Sequence, residues 1–189
     1  MSGPVVANDG PALGPSGLGL PVTWFSRIAD RIITFFGEIS SWLWTMLMLL
    51  IIWQVIRRYA FSKGSIMMEE MQWHLYAVGF MLGLAFTEIR ERHVRIDVLA
   101  EHWPRRHRLW TEFAGIVLLL LPFAGFMVWF AVPFVLTSIQ LHEVSAAPDG
   151  LPYRWVLKSF IVTAFALLFL AGLSRLSRVW AALRTTGQI

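Results

Sequence analysis

The sequence contains no cysteine. Disulfides, thiolate metal sites, iron–sulfur clusters and cysteine nucleophiles are therefore excluded, and the redox compartment cannot be read from the residues. Charge is scarce as well: Asp, Glu, Lys and Arg make up 15% of the 189 residues, against about 25% in soluble domains, while 57% are hydrophobic. That balance excludes disorder, collagen and an ordinary soluble domain. The excess of base is small, 16 Lys and Arg over 12 Asp and Glu for a net charge of +4. These basic residues lie between long apolar runs rather than in one patch, so they read as a membrane topology signal and not as a nucleic-acid footprint. The alternating polarity of a membrane β-barrel is missing, as is the inverted repeat of many secondary transporters. No nucleotide loop, metal-ligand set or activated nucleophile is apparent, so there is no enzyme signature and no cofactor is implied.

Four stretches without formal charge remain: residues 39–56, 71–87, 113–141 and 159–174. A hydrocarbon layer of ~30 Å needs about 20 helical residues, with roughly 17 to 25 observed, so all four qualify once their flanks are counted. The expected fold is an all-α membrane protein with four transmembrane helices, at about 39–58, 69–88, 113–141 and 155–175 within a domain spanning 39–187. The fourth reaches its length if the Lys158 ammonium snorkels to the interface. The third is too long to stand upright, and Pro122 and Pro133 are its candidate kink points. Trp42, Trp44, Trp73, Trp103, Trp110, Trp155 and Trp180 fall near span ends, where an indole buries its ring and keeps its N–H satisfied.

Residues 1–21, with five Gly, four Pro and no Lys or Arg, lack the charged start and apolar core of a secretory signal peptide and read as a disordered tail. In 22–38, Trp24, Phe25, Ile28, Ile32, Phe35 and Phe36 recur at helical spacing, with Arg27, Asp30, Arg31, Thr34 and Glu38 on the other side. This predicts a short amphipathic helix in the membrane surface, or equally a cytosolic extension of the first span. Four spans put the N-terminus, the loop after the second span and the C-terminus on one side, with eleven basic residues against five on the other. Both termini are therefore expected to be cytoplasmic.

The residues that stand out sit at span ends. The loop 88–112 reads EIRERHVRIDVLAEHWPRRHRLWTE, and Ile96, Leu99 and Trp103 could form the apolar face of a second interfacial helix, its basic face toward anionic lipid. His93 and Asp97 are four apart and share a face, but with no third ligand they make a poor metal site. Glu69 and Glu70 open the second span where charge is expensive, so at least one should stay at the water boundary or meet a cation such as Arg57, Arg58, Lys63 or a basic group on another protein. Gly79 and Gly83 form a GxxxG spacing that lets another helix approach, from within the chain or from a partner. His74 and His142 are both expected near the outer surface, and two histidines on facing helices are what a membrane haem requires; a haem-binding anchor is the alternative function.

In order along the chain come RRYAF (57–61), the acidic pair Glu69 and Glu70, VGFMLGLAF (78–86), RERHVRIDVL (90–99), HWPRR and SAAPDGLPYRW (145–155). This pattern, from about residue 36 to 179, resembles the small membrane subunit of tripartite ATP-independent periplasmic (TRAP) transporters. One departure is that Met67 and Met68 stand where an aromatic residue often precedes the acidic pair, with Trp73 following instead. The resemblance implies a multi-pass subunit of the bacterial inner membrane that braces a larger subunit holding the ion and substrate sites. It also implies a periplasmic binding protein that delivers an organic acid, and uptake driven by an ion gradient, usually sodium. By position, Glu69, Glu70, His93 and Asp97 match the family's motif. Together with Gly79, Gly83, Arg90, Arg92 and Arg95 they are the candidate subunit-interface residues.

Overall fold

A computed structural model describes residues 18–62, 64–90, 103–147 and 150–186. Every regular element among them is helical: α1 (Trp24–Phe61), α2 (Ile66–Ile89), α3 (Arg105–Gly115), a π-helical turn (Ile116–Leu120), α4 (Leu121–Gln140) and α5 (Arg154–Thr186).

Helix α1 begins at a reciprocal cap, in which Thr23 Oγ1 accepts from the Ser26 N–H at 3.1 Å and Ser26 Oγ accepts from the Thr23 N–H at 3.0 Å. It then runs for 38 residues to Ser62, whose left-handed φ of 52° ends it. The amphipathic stretch 22–38 and the first apolar run are thus one continuous helix, because no glycine–proline break or capping residue interrupts them. Its inward face is not the aromatic one. Ser26, Ala29, Ile33, Gly37 and Ser40 are buried, whereas Trp24, Phe25, Ile28, Ile32 and Phe35 are exposed. Small residues win the interior because they let a neighbouring backbone come close.

That neighbour is α2, antiparallel to α1: Gly37 faces Phe86, and Ser40 Oγ donates to the Gly79 carbonyl at 2.7 Å. Helix α5 lies at the centre, packed against α1 and α2 on one side and against α3 and α4 on the other. Ile33, Leu82, Ala85, Leu167 and Ala171 form the core between α1, α2 and α5. A second cluster joins Leu109 and Ile116 to Val179 and Ala182, and includes Leu18, which composition assigned to the tail but which is only 3% exposed. Arg105 holds that segment by donating to the Leu18 carbonyl at 2.9 Å.

Helices α3 and α4 are continuous through the π-turn, where the Leu121 N–H reaches back five residues to Ile116 O. The wider turn comes just before Pro122, which cannot donate to the helix; a π-bulge is one way a helix absorbs such a defect. Pro133 sits inside α4.

Among the described residues three helical segments are long and apolar enough to cross a membrane: Trp24–Phe61, Arg105–Gln140 and Arg154–Thr185. The expected four are therefore corrected to three. Length does not disqualify α2, which has 24 residues. What lowers its apolarity, beside Glu69 and Glu70, is Gln72, Trp73, His74 and Tyr76, polar or half-polar groups that a count of formal charges overlooks. Within the three candidate spans, 11 to 28% of the most apolar window is buried by the chain itself, so most of that surface faces outward.

The tightest helix contact generates a test. A Cβ on Gly37 would stand 2.2 Å from Phe86 Cδ2 and 2.9 Å from its Cβ, so turning the ring cannot clear it. On Gly83 the nearest atom would be Ser40 Oγ, at 3.8 Å. Gly37→Ala is expected to destabilise the protein by about 1–3 kcal/mol, while Gly83→Ala is close to neutral, as read by thermal unfolding in detergent.

Candidate functional site

The chain's polar chemistry is concentrated at the two ends of an apolar bundle. At the end where α1 begins and α5 finishes, Arg175 on α5 pairs with Glu112 on α3 and lies 3.9 Å from Glu88 on α2. All three side chains are largely buried, so one guanidinium joins three helices. A turn further on, Arg178 pairs with Asp30 on α1, which also accepts from Ser174 Oγ at 2.8 Å. Thr23 and Ser177 hydroxyls meet at 2.8 Å beyond it. Buried charges of this kind need every partner, since a half-paired set costs more than an apolar one. A cleft of about 410 Å³ beside Arg175 is lined by Glu88, Glu112, Arg108 and Trp103 among others.

At the opposite end the acidic pair divides. Glu70 turns inward, accepting from the Leu151 N–H at 2.6 Å and from the Ser145 hydroxyl. It thereby pins the segment between α4 and α5 to the start of α2. Its partners are thus neutral donors from that segment. Glu69 remains exposed and accepts from Gln54 Nε2 at 3.1 Å, while Gln54 and Gln72 also bond each other across α1 and α2. Arg57 Nη1 approaches Met68 Sδ at 3.1 Å. A second carboxylate, Glu143, accepts from Lys158 and from Ser138 Oγ at 2.7 Å, with Arg154 at 3.8 Å. Lys158 lies over the Phe134 ring at 4.0 Å, which accounts for a lysine at the edge of an apolar span. The hydrogen bond from Lys158, and then that from Ser138, hold the Glu143 carboxyl below the usual carboxylate range.

Of the sequence-selected residues, Glu69 and Glu70 share this end but act separately. Gly79 and Gly83 line the α1 contact, so the helix they admit is internal rather than a partner's. Arg90 ends α2, exposed, with its guanidinium 5.1 Å from the Phe86 ring. Arg92, His93, Arg95, Asp97 and the second interfacial helix lie outside the described residues. The haem alternative is not supported: His74 Nδ1 is 2.7 Å from the Glu70 carbonyl of its own helix, and α2 and α4 each pack on α5. Glu88, Glu112, Arg175 and Asp30 were missed as a set. Their signal was an ionisable residue at the border of each apolar run, which topology alone seemed to explain.

An all-helical bundle with uncharged middles and charge-paired ends fits a membrane transport component. The sequence model of the family "Tripartite ATP-independent periplasmic transporters, DctQ component" matches residues 47–182. The chain belongs to that family. No curated protein matches it. DctQ components are parts of a transporter and not enzymes, and the tripartite name implies two further components. In this DctQ component the matched region includes the carboxylate sites at the far end of the bundle, Glu70 and Glu143, and the Arg175 junction. Its first 46 residues, with Gly37, Glu38 and Asp30, precede the match.

Two outcomes follow from these sites. Replacing Arg175 with Met takes a buried cation away from Glu88 and Glu112, and is expected to cost about 3–5 kcal/mol in thermal unfolding; adding Glu88→Gln and Glu112→Gln recovers part of it. Glu143 has a depressed folded value, so its contribution is complete above the ordinary 4.5 and is lost as pH falls through the folded value. Acid should therefore loosen the segment between α4 and α5, read as faster proteolysis there, and Glu143→Gln should weaken that pH dependence, leaving the part that Glu70 contributes through Ser145 and Leu151.

Proposed function

We propose that this protein is the small membrane subunit of a TRAP-type transporter that braces the large ion- and substrate-translocating subunit in the inner membrane and helps dock the periplasmic binding protein. In this reading the complex takes up an organic acid driven by an ion gradient, usually of sodium. The observation that carries it is the combination of family membership with a bundle whose uncharged stretches, 39–56, 71–87, 113–141 and 159–174, are brought side by side by the packing. A path for an organic anion needs cations or oriented dipoles along its length, and these stretches offer none. Their outward surfaces are instead large and apolar, with Leu119 at 72% and Trp129 at 77% exposure on the α3–α4 segment. Such surfaces suit lipid and a second membrane protein.

The end carrying Arg27, Arg31, Arg105, Arg106, Arg108, Arg175, Arg178 and Arg184 is proposed to face the cytoplasm, against Arg57, Arg58, Arg154 and Lys158 at the other. Contacts between Thr23 and Ser177 and between Asp30 and Arg178 support the start of α1 and the end of α5 sharing that side. In this reading α2, less apolar than the three candidate spans, makes the return passage antiparallel to α1, from Glu69 beside Gln54 to Phe86 beside Gly37. The segment between α4 and α5, tied down by Glu70 and Glu143, then forms a fixed outer surface for a binding protein.

Proteoliposomes holding this chain alone should show no uptake of organic acids under a sodium gradient. Those holding it with the large subunit and the loaded binding protein should. Uptake by the isolated chain would overturn the assignment, as would undiminished uptake by the large subunit and binding protein without it.

A further inference from the structure

We infer that the outward face of α1 around Glu38 is a docking surface for a membrane helix of the large subunit that carries a basic side chain. This rests on the reading that the chain works beside such a subunit, and it deepens that reading by naming where the two meet.

Depth comes first. Gly37 packs against Phe86, two residues before Glu88 on the antiparallel α2, so the Glu38 backbone stands within about 5 Å of the level of Glu88, on the side nearer the middle of the bundle. At that level the chain holds its other carboxylates with care, since Glu88 and Glu112 share the buried Arg175. Glu38 has no such arrangement. It lies across the helix from the buried stripe Ser26, Ala29, Ile33, Gly37 and Ser40, is exposed, and makes no hydrogen bond or ion pair among the described residues.

Its own helix cannot supply a cation. The positions one turn away are Thr34, Phe35, Ser41 and Trp42. Arg31 is on the same face but seven residues back, about 10 Å along the axis, and toward the core the next charge on α1 is Arg57. What surrounds the carboxylate is apolar and outward: Phe35 is 60% and Trp42 72% exposed, with Leu49 continuing the stripe at 58%. An anion at the rim of an aromatic surface, at a depth where its counterparts are ion-paired, is complementary to a lysine or arginine on an apolar helix. Gly79 and Gly83 already face α1, so the surface left for a partner is this one of large side chains.

The test is copurification of the large subunit, co-expressed with the tagged chain, for wild type, Glu38→Gln and Glu38→Lys. Because Glu38 makes no hydrogen bond or ion pair among the described residues, the thermal midpoint of the isolated protein should be the same in all three. Recovery of the large subunit should fall several-fold with Gln and about tenfold or more with Lys. A basic-to-acidic change on the facing helix of the large subunit should restore the Lys variant. Wild-type recovery with both variants would overturn the inference and leave the proposed function standing, with lipid headgroups meeting Glu38 instead. If the lysine variant unfolds, the nearly isosteric Gln variant decides by the same criterion. Failure of the wild-type chain to recover the large subunit would overturn both.

Discussion

The arrangement depends on how the chain keeps ionised groups at the margins of a structure that is otherwise apolar. Arg175 is the centre of that solution. It is placed on α5, the helix that touches all others, and draws one carboxylate from α2 and another from α3 to the same point. An arginine suits this role because its planar group is always charged and can serve two acceptors at once. The Asp30–Arg178 pair adds α1 to the same end. Apolar helices in lipid have little hydrophobic reason to prefer one rotation over another, so pairs that would be costly to break fix which faces meet.

The opposite end is fixed differently. There the polar groups hold a connecting segment rather than the helices themselves: Glu70 takes the Leu151 N–H, and Glu143 takes Lys158 and Ser138. Left-handed residues occur beside these anchors, with His142 at φ 46° and Tyr153 at φ 64°. Non-glycine residues in that region are strained, and persist only where surrounding contacts over-determine them. Two carboxylates on either side of the segment provide such contacts. The result is a firm cap at this end of a bundle whose middle makes few polar bonds.

How much of this was legible in the sequence varies with the physics involved. Long uncharged runs announced the helices, and the pattern of acidic pair, glycine span and basic loop carried the family. The count of spans was less secure, because formal charge and hydropathy part company in α2, where Gln72, His74 and Tyr76 are uncharged yet poorly apolar. The spacing of Gly79 and Gly83 leaves open which helix they meet, since it describes one surface only; within this chain it is α1. Gly37, the tightest contact of all, escaped because it lies among aromatic residues whose periodicity suggests that they face inward. In a membrane the inference from large apolar side chain to interior is reversed: Phe35 and Trp42 face out, and Ser26, Ala29 and Ser40 face in. Arg175 was visible only as one of several arginines, because the carboxylates that define it are 63 and 87 residues away.

That reversal bears on where a second protein can attach. Small-residue stripes are the common route to tight helix association in lipid, and here both the α1 stripe and the α2 glycines are spent on each other and on α5. Surfaces left open are built from Trp, Phe, Leu and Met, which pack over broad areas without demanding a particular register. Register must then come from something directional. On the outward face of α1 the one acidic group between Arg31 and Arg57 is Glu38, and a single ionic contact at the rim of an otherwise apolar interface is enough to select one alignment among many. A subunit whose own fold is locked by internal ion pairs can present that face without rearranging, so that little ordering is lost when a partner helix arrives.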